Sequence, residues 1–571
     1  MGGLVDLTAL VLDPGGWECS DKTVLSTQHL GFRGLSAFAS LALISACGSD
    51  SGGGSVLTGN ESGLTATTTT SGSAGTSESD DGTDDGPKLD ANPGGTAETG
   101  GSGDPCMDAA EAKSNQGCLF WAVDLPNAWV GTPSPNNHQF AVVVANTVEG
   151  ADATVRTFIG NETTPIDTDV VPSGALVVLP LPAMNIPERQ NSYDGVAFRF
   201  ESDVPVTAYQ FNPLDNNTQV FSNDASLLFP EHALGTEYTA ITGDGIQLAA
   251  SALDTPDNSG AFVSIVATED NTVVDVFPTV DVYPGATEDI VINRGQVATI
   301  VSNATIAGAT GVAGQGNLSG TRVSADKPVA VFSGNVATLE PQPGACCADH
   351  LEHQMLPIAA WGTGYVTAPV PVPGNPGASN RSAYRITGAF DATNLVYNPS
   401  TPPGAPSSIG ADQTVRFETD QPFSVATLDP DKPFALTQFL LSNQQFVTTP
   451  PYQNGDPAMI ALPAAAQYQT RYVFSVPEGY ASNYVSILRP SGAMVLLDGN
   501  DVSIANWTPA GAVDGKNYEF VRLELTQGAH TIESDEPVGI VSIGYDVDVS
   551  YGFPGGSGLE IISTPPPSPA D

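Results

Sequence analysis

The densest group of chemically reactive side chains lies within eight residues near the middle of the chain. It contains two thiols, two carboxylates and two imidazoles, supplied by Cys346, Cys347, Asp349, His350, Glu352 and His353. Groups of these types ligate zinc in proteins. The spacing favours other roles, because adjacent cysteines seldom bind one ion together and the two histidines are one residue too close for the HExxH motif. A metal site formed by Asp349, His350, Glu352 and His353 remains an alternative to a structural role.

The six cysteines are too few for a disulfide-dense scaffold, but their two close pairs are typical of an exported protein. We predict disulfides among Cys106, Cys118, Cys346 and Cys347. The favoured pairs join the neighbours Cys346 and Cys347 and connect Cys106 to Cys118 at the start of the folded part. Four cysteines allow three pairings, and the sequence does not select one of them. Redox activity remains an alternative role for these residues.

No catalytic residue is assigned. The chain has no Gly-x-Ser-x-Gly elbow, phosphate-binding loop, dinucleotide-binding fingerprint or Cys-x-x-Cys pair. His138, His232 and His530 stand alone among polar or turn residues, which predicts solvated side chains. A glycosidase needs only two carboxylates placed in space, so a β-rich hydrolase remains an alternative to the non-enzymatic interpretation.

Charge excludes one class of partner and permits one class of ion. Acidic residues outnumber basic ones 63 to 18, for a net charge of −45, whereas nucleic-acid binding needs clusters of Lys and Arg. No cofactor is predicted. Calcium is the one open alternative, because carboxylates at alternate positions suit it, as in Asp429 with Asp431 and Asp546 with Asp548. The same acids equally suit turns and an exposed surface.

Residues 1–47 contain an export signal. Between residues 31 and 46 a basic residue precedes an apolar run that is too short to span a bilayer, which needs about 20 residues. The run ends in Leu-Ile-Ser-Ala before Cys47, which resembles a bacterial lipobox. In such lipoproteins the cysteine is acylated, so the resemblance implies lipidation of Cys47 and a membrane anchor. The acids before the run favour a translation start near Val24.

Two segments are predicted to stay unfolded. Residues 48–104 are Gly, Ser, Thr and Asp with few apolar residues, so they cannot bury enough surface to offset their ordering entropy. Their acidic charge extends them, as a spacer between membrane and head requires. Residues 564–571 form a proline-rich tail.

The remaining chain repeats itself. A phrase of an acid, any residue, a proline and an apolar residue precedes strand-like runs at Glu201–Val206, Ser324–Val329, Glu418–Phe423 and Glu533–Val538. A proline eight or nine residues before a tyrosine opens three units, at Pro230–Tyr238, Pro357–Tyr365 and Pro463–Tyr472. These phrases recur in one order, which predicts modules at 105–226, 227–353, 354–459 and 460–563.

The modules are predicted to be all-β. Within them apolar residues alternate, as in the run from Ala261 to Ala267, and glycine and proline are frequent. About 100 residues with some seven short strands suits a β-sandwich, so we expect tandem sandwich-like modules; two propeller blades per module are the alternative. In the acid-x-Pro phrase the acid favours a tight turn and the proline suits the first residue of a strand, a structural interpretation.

The region around residues 341–357 also carries a family resemblance. Its sequence PQPGACCADHLEHQMLP follows a predicted strand, and CLFWAVDLPN, AYQFNPL and SNDASLLFP occur upstream. Together these segments resemble the IgGFc-binding protein N-terminal domain, in the form common in myxobacterial lipoproteins, over residues 118–563. The family signature consists of Asp349, His350, Leu351, Gln354, Met355 and Pro357.

The resemblance implies extracellular contact with a protein or a glycan. The family is named after a mucosal protein that binds the Fc part of immunoglobulin G and carries many cysteine-rich von Willebrand-type domains. This sequence shows none of those domains, so immunoglobulin binding is not expected to carry over.

We therefore predict an exported lipoprotein, at the outer membrane or cell surface, with a non-enzymatic adhesion or interaction role. The expected partners are the membrane, through the lipid, and an unidentified extracellular or envelope protein or glycan. A structural component that faces the periplasm is the alternative. Aromatic side chains of the repeats suit either a ligand face or the core, namely Tyr209, Phe211, Trp361, Tyr545 and Tyr551.

Overall fold

A computed structural model describes residues 103–128, 135–184, 186–214, 222–247, 258–303, 316–341, 348–443 and 454–566. Cys47, the linker up to residue 102 and the pair Cys346 and Cys347 lie outside these ranges. Within them, no helix is long and apolar enough to cross a membrane. Apart from one short α-helix and a few single turns of 3-10 helix, the regular structure is antiparallel β, which confirms the all-β prediction.

Module 1 begins with helix α1 (Pro105–Ala112), which has a proline at its first position. The Asp104 side chain caps the helix, because its Oδ1 accepts a hydrogen bond from Cys106 N at 2.9 Å. Most strands then pair with one long strand, β7. The strands are β1 (Gly117–Ala122), β2 (Ala141–Asn146), β3 (Ala153–Ile159), β4 (Asp167–Val171), β5 (Leu176–Pro180), β6 (Ser192–Val196), β7 (Phe198–Asn212) and β8 (Asp224–Leu228).

Module 2 repeats this plan around a second long strand, β16, and borrows β6 from module 1 as an edge strand beside β15. Its strands are β9 (Gly235–Thr239), β10 (Ile246–Gln247), β11 (Asn258–Ser259), β12 (Ala261–Ala267), β13 (Thr272–Phe277), β14 (Ile290–Ile292), β15 (Gln296–Val301), β16 (Arg322–Thr338) and β17 (Asp349–Gln354).

In module 3 the long strand is interrupted, so two four-stranded sheets replace the single bent one. Its strands are β18 (Gly364–Val366), β19 (Pro371–Val372), β20 (Asn375–Ser379), β21 (Ser382–Gly388), β22 (Thr393–Asn398), β23 (Ser408–Ile409), β24 (Thr414–Thr419), β25 (Ser424–Thr427), β26 (Phe434–Phe439) and β27 (Met459–Ala461).

Module 4 restores the continuous long strand as β34. Its strands are β28 (Gln469–Val476), β29 (Ser482–Pro490), β30 (Val495–Leu497), β31 (Asn500–Asp501), β32 (Thr508–Val513), β33 (Lys516–Leu525), β34 (Gly528–Asp546) and β35 (Val549–Pro554). The expected boundaries at 226, 353 and 459 fall inside β8, β17 and β27, so each of these modules ends a few residues later than expected.

Each long strand bends at the acid-x-Pro phrase, where four of its residues face a single residue of the partner strand. In module 2, Ser324 pairs with Glu237 and Val329 pairs with Gly235, so residues 325–328 lie opposite a single residue. The long strands β7 and β34 show the same shift in pairing register. Such a bulge bends the strand, so its two halves join two sheets of one sandwich-like module. The phrase therefore lies within a strand, and the prediction that its proline begins one is wrong.

The acid of the phrase fixes the neighbouring strand. Asp326 Oδ1 accepts from Val273 N at 2.8 Å, Asp203 accepts from Thr154 N at 2.6 Å, and Asp535 accepts from Met494 N at 2.7 Å. In module 3 the predicted position of the acid-x-Pro phrase is wrong. Its counterpart of the phrase is the segment 430–434 between β25 and β26, not Glu418–Phe423, because β25 and β26 pair as the two halves of β16 do.

The repeated tyrosine ties each module's first strand to this bend. Tyr238 Oη donates to the carbonyl of Val329 at 2.6 Å and accepts from Gly235 N at 2.8 Å. Tyr365 and Tyr472 make the same two contacts in modules 3 and 4. The opening phrase is thus a structural repeat.

We expect Tyr238→Phe to destabilise the protein by about 2 kcal/mol, because it leaves a buried donor and a buried acceptor unpaired. Thermal and urea denaturation measure this loss. Tyr193→Phe is the matched control: its hydroxyl donates to Ala286 O at 2.7 Å near the surface, so its loss should cost about 0.5 kcal/mol. Equal losses in the two variants would contradict the role assigned to the bend.

The modules share their hydrophobic cores and close into a ring. One cluster joins modules 1 and 2, another modules 2 and 3, a third modules 3 and 4, and a fourth modules 4 and 1. The side chains of β12 show how. Phe262 lies in the core shared with module 1 and Val263 lies in the core shared with module 3, because alternate residues of a strand point to opposite faces. The inner strands are therefore buried on both sides.

The two ends of the described chain meet at the seam between modules 4 and 1. Asn115 N donates to Ser557 O at 3.0 Å, and Leu559 N donates to Lys113 O at 2.7 Å. The Asn115 side chain accepts from Ser557 N at 3.1 Å and from Gln469 Nε2 at 3.0 Å. We call residues 113–117 and 557–559 the clasp.

Candidate functional site

The last strands of the four modules, β8, β17, β27 and β35, meet at the centre of the ring. Asp224 at the start of β8 connects all four. Its Oδ1 accepts from Ala225 N at 2.9 Å, and its Oδ2 accepts from Glu352 N at 3.2 Å and Met459 N at 3.0 Å. A backbone amide of module 4, that of Gly552, also bonds to this carboxyl. We call the buried polar side chains around these strands the polar core.

The candidate metal ligands all lie on β17 and are fully buried, with exposures of 0 % for Asp349, His350, Glu352 and His353. Alternation along a strand sends them to opposite faces, so they do not converge. His350 Nε2 lies 3.4 Å from Glu352 Oε2 on one face. On the other, Asp349 Oδ1 accepts from Asn223 N at 2.7 Å, and His353 Nδ1 donates to Gln354 O at 2.7 Å.

The residues of the family signature dock β17 on its neighbours. Gln354 Oε1 accepts from Phe229 N at 2.7 Å, and Gln354 N donates to Ser226 Oγ at 2.8 Å, which fixes β17 beside β8. Leu351 and Met355 pack in the core shared by modules 2 and 3. Pro357 packs against Gly235, where an added Cβ would lie 2.7 Å from the proline Cβ. The signature therefore specifies how modules join.

Burial disfavours the charged forms of the titratable groups in the polar core. It raises the pKa of Asp224, Asp349 and Glu352 well above their usual values, and neighbouring carboxyls raise the last two further. Burial also lowers the pKa of His350 to about 3 and that of His353 to about 4. These enclosed groups accept hydrogen bonds from backbone amides of several modules.

The low pKa of His353 predicts a pH effect. An unfolded histidine titrates near pH 6.5, so the contribution of His353 to stability falls as pH drops below that value, at about 1.4 kcal/mol per unit. Between pH 7.5 and pH 5 we expect His353→Gln to lose about 2 kcal/mol less stability than the wild type.

Urea denaturation at the two pH values measures this difference. The comparison cancels the opposing contribution of Asp224, Asp349 and Glu352, whose raised pKa values favour the folded state as pH falls. His138→Gln, at a half-buried loop position, is the control and should follow the wild type. The same pH dependence in all three proteins would contradict a neutral His353.

Sequence reasoning missed Asp224, although a signal was present. In every module an aspartate lies six to eight residues before a proline that ends or follows the last strand: Asp224 and Pro230, Asp349 and Pro357, Asp456 and Pro463, Asp548 and Pro554. The first three are buried at or below 1 %, and Asp456 Oδ1 accepts from Asn443 N at 3.3 Å. This phrase marks the polar core.

Three further histidines lie within the described residues, and they differ in burial. His138 and His232 are half-buried, and His232 Nε2 lies 3.3 Å from Ser114 O. His530 is 6 % exposed, with Nδ1 at 2.8 Å from Asp498 Oδ2 and Nε2 at 2.7 Å from Thr526 O. The prediction of a solvated side chain is wrong for His530, because its strand pairing places it against Phe474.

The candidate calcium ligands accept hydrogen bonds, two of them within local turns. Asp429 Oδ1 accepts from Asp431 N at 3.1 Å, and Asp546 Oδ1 accepts from Val547 N at 2.7 Å. Asp548 Oδ1 accepts from Asn443 Nδ2 at 3.0 Å. Nowhere in the described ranges do three His, Cys, Asp or Glu side chains come together in a way that could hold a metal ion. Asp349, His350, Glu352 and His353 therefore do not form a metal site among themselves.

The candidate ligand-face aromatics belong to the core. All are at most 3 % exposed, namely Tyr209, Phe211, Trp361, Tyr545 and Tyr551. Of the predicted disulfides, the one between Cys106 and Cys118 is formed, and Cys346 and Cys347 lie outside the described residues.

Comparison with known proteins agrees with the segments noted above. The family model described as IgGFc binding protein matches residues 224–544, more than half of the chain. The human IgGFc-binding protein is 27 % identical over 366 residues, which cover 62 % of this chain. The matched region spans only 6 % of that relative's length. The match to the family model includes β8, β17 and β27, which are three of the four central strands, and the three tyrosine contacts. The chain therefore belongs to the IgGFc-binding protein family.

Proposed function

We propose that this protein is a non-enzymatic binding protein of the cell envelope, with a rigid β ring as its head. One observation carries the proposal. The sequence has one dense cluster of side chains of catalytic types, and its described members are 0 % exposed. Burial lowers the pKa of both imidazoles in this cluster. Chemistry on a substrate needs groups that a substrate can reach. What the ring presents to solvent is a large, rigid surface suited to contact with another macromolecule.

The anchor and spacer of the proposal rest on the sequence. The lipobox ends at Cys47, and about 55 residues of acidic, Gly- and Ser-rich chain separate it from the first described residue, Gly103. A lipid at Cys47 would hold the head near a membrane, while the spacer would leave the ring free to meet a partner.

The partner class follows from surface charge and from the relative's name. The relative is named for binding the Fc part of an immunoglobulin, a folded protein. Acids outnumber bases 63 to 18 here, so a partner with a basic surface would be attracted and a nucleic acid repelled. We propose an extracellular or envelope protein, or a glycan carried by one, as the ligand.

Protease treatment of intact cells tests the location. A surface lipoprotein should be cleaved in the spacer of wild-type cells, and Cys47→Ala should appear in the medium because it lacks the lipid. Ser51→Ala, four residues after Cys47 in the spacer, is the matched control and should behave like the wild type. Protection of the wild type until the outer membrane is breached would instead support a structural component that faces the periplasm.

Binding is tested separately with the purified full chain. We expect saturable binding to intact cells or extracellular matrix that weakens as salt is raised from 50 to about 500 mM, because the surface is acidic. Absence of binding to every envelope and matrix fraction at low salt would overturn the binding role, whatever the location.

A further inference from the structure

The disulfide between Cys106 and Cys118 encloses part of the clasp. Cys106 lies in α1 and Cys118 in β1, so their bond encloses residues 113–117, the N-terminal half of the clasp. These residues pair with 557–559 and close the seam between modules 4 and 1. The disulfide therefore spans the segment that completes the ring.

The bond is also a covalent attachment of α1 to β1. No residue of this helix is buried, so apolar packing contributes little to holding it. The helix touches β7 through the Cys106 sulfur, which lies 3.8 Å from Ser202 O. Once the bond is broken, α1 loses its covalent link to β1, and non-covalent contacts alone hold the clasp.

A reductant can reach the bond. Both cysteines are only half-buried and line an open cleft of about 360 Å³ between modules 1 and 2. Glu231, His232 and Glu269 line the same cleft. His232 also contacts the clasp through Ser114 O, and Gly117 is pressed against Pro230, where an added Cβ would lie 2.4 Å from the proline. The cleft thus leads directly to the clasp.

We propose that the disulfide between Cys106 and Cys118 is a redox lock on the clasp. A dithiol reductant supplies the two electrons: its thiolate attacks one sulfur and the other sulfur leaves as a thiolate. The second thiol of the reductant then resolves the mixed disulfide, so the reductant ends as a disulfide and the protein as two thiols. The clasp opens first, while the hydrophobic core that modules 4 and 1 share stays packed. An exported chain would thus close the clasp only in an oxidising compartment.

Hydrogen exchange of the full chain, with and without dithiothreitol, tests the lock. We expect the amides of Asn115 and Leu559 to exchange about tenfold faster or more after reduction, as loss of the cross-link should allow. The amide of Ser442, which donates to Glu340 O at 2.7 Å across the seam between modules 2 and 3, should not change.

The double variant Cys106→Ser, Cys118→Ser separates this bond from any other that dithiothreitol reduces. It should show fast exchange at Asn115 and Leu559 without reductant and no further change with it. Unchanged exchange at both amides after reduction of the wild type would overturn the lock. If the double variant does not fold, the wild-type measurement decides alone. Neither result depends on whether the ring binds a partner.

Discussion

Asp224→Ala should be among the most damaging single substitutions in the ring. The carboxyl accepts hydrogen bonds from backbone amides of all four modules, including those of Glu352, Met459 and Gly552. Each buried amide left without an acceptor costs about 1–3 kcal/mol, so the free energy of unfolding should fall by at least about 4 kcal/mol. Loss of this one side chain weakens every seam at once.

Urea denaturation and the thermal midpoint measure the effect, with Ser226→Ala as the matched control on the same strand. The Ser226 hydroxyl accepts one amide, that of Gln354, so its loss should cost about 1 kcal/mol. Asp224→Asn should fall between the two, because an amide has one oxygen to accept with and an N–H₂ that faces donors. Equal stability of Asp224→Ala and Ser226→Ala would show that the four contacts do not hold the ring.

Glu340→Ala should lower the free energy of unfolding by a comparable amount. It does so at one seam, because it removes the partner of a buried charge. Glu340 of module 2 is 2 % exposed and binds two arginines of module 3: Arg385 Nη2 lies 2.8 Å from Oε2 and Arg416 Nε lies 2.6 Å from Oε1. Arg385 is itself 2 % exposed. Removing the carboxylate leaves it buried without a counter-charge, which costs about 3–5 kcal/mol.

Glu418→Ala is the matched control within the same network. Glu418 bonds to Arg416 at 2.6 Å at a more exposed position, so its loss should cost less than about 1 kcal/mol. Urea denaturation measures both variants. Hydrogen exchange at the amide of Ser442 shows whether the seam opens locally. A loss for Glu340→Ala no larger than for Glu418→Ala would mean that Arg385 finds water or another acceptor.

The sequence predicts the modules because their phrases are local. The tyrosine phrase works within one module, through Tyr238 Oη and the backbone of Val329, so a fixed spacing records it. The acid-x-Pro phrase is also local, but module 3 contains two copies about ten residues apart. Only strand pairing distinguishes them, and pairing partners are not encoded in spacing.

Ring closure and the polar core are not local and could not be predicted. Alternation in β12 shows that both faces are apolar, but not that Phe262 lies in a core shared with module 1 and Val263 in a core shared with module 3. The group at Asp349 to His353 suggested a metal site because sequence proximity ignores the two faces of a strand. The partners of Asp224 in other modules lie more than 100 residues away, beyond any pattern of spacing.

The shared cores restrict how such a protein can evolve. In an open repeat array a copy can be duplicated or deleted at little cost, because each copy contacts only its neighbours and the ends are capped. Here the first copy packs against the last, and residues 113–117 pair with 557–559. A fifth copy would break that junction unless every angle between copies changed together. The number of copies is therefore fixed by geometry, and variation should accumulate in loops rather than in repeat number.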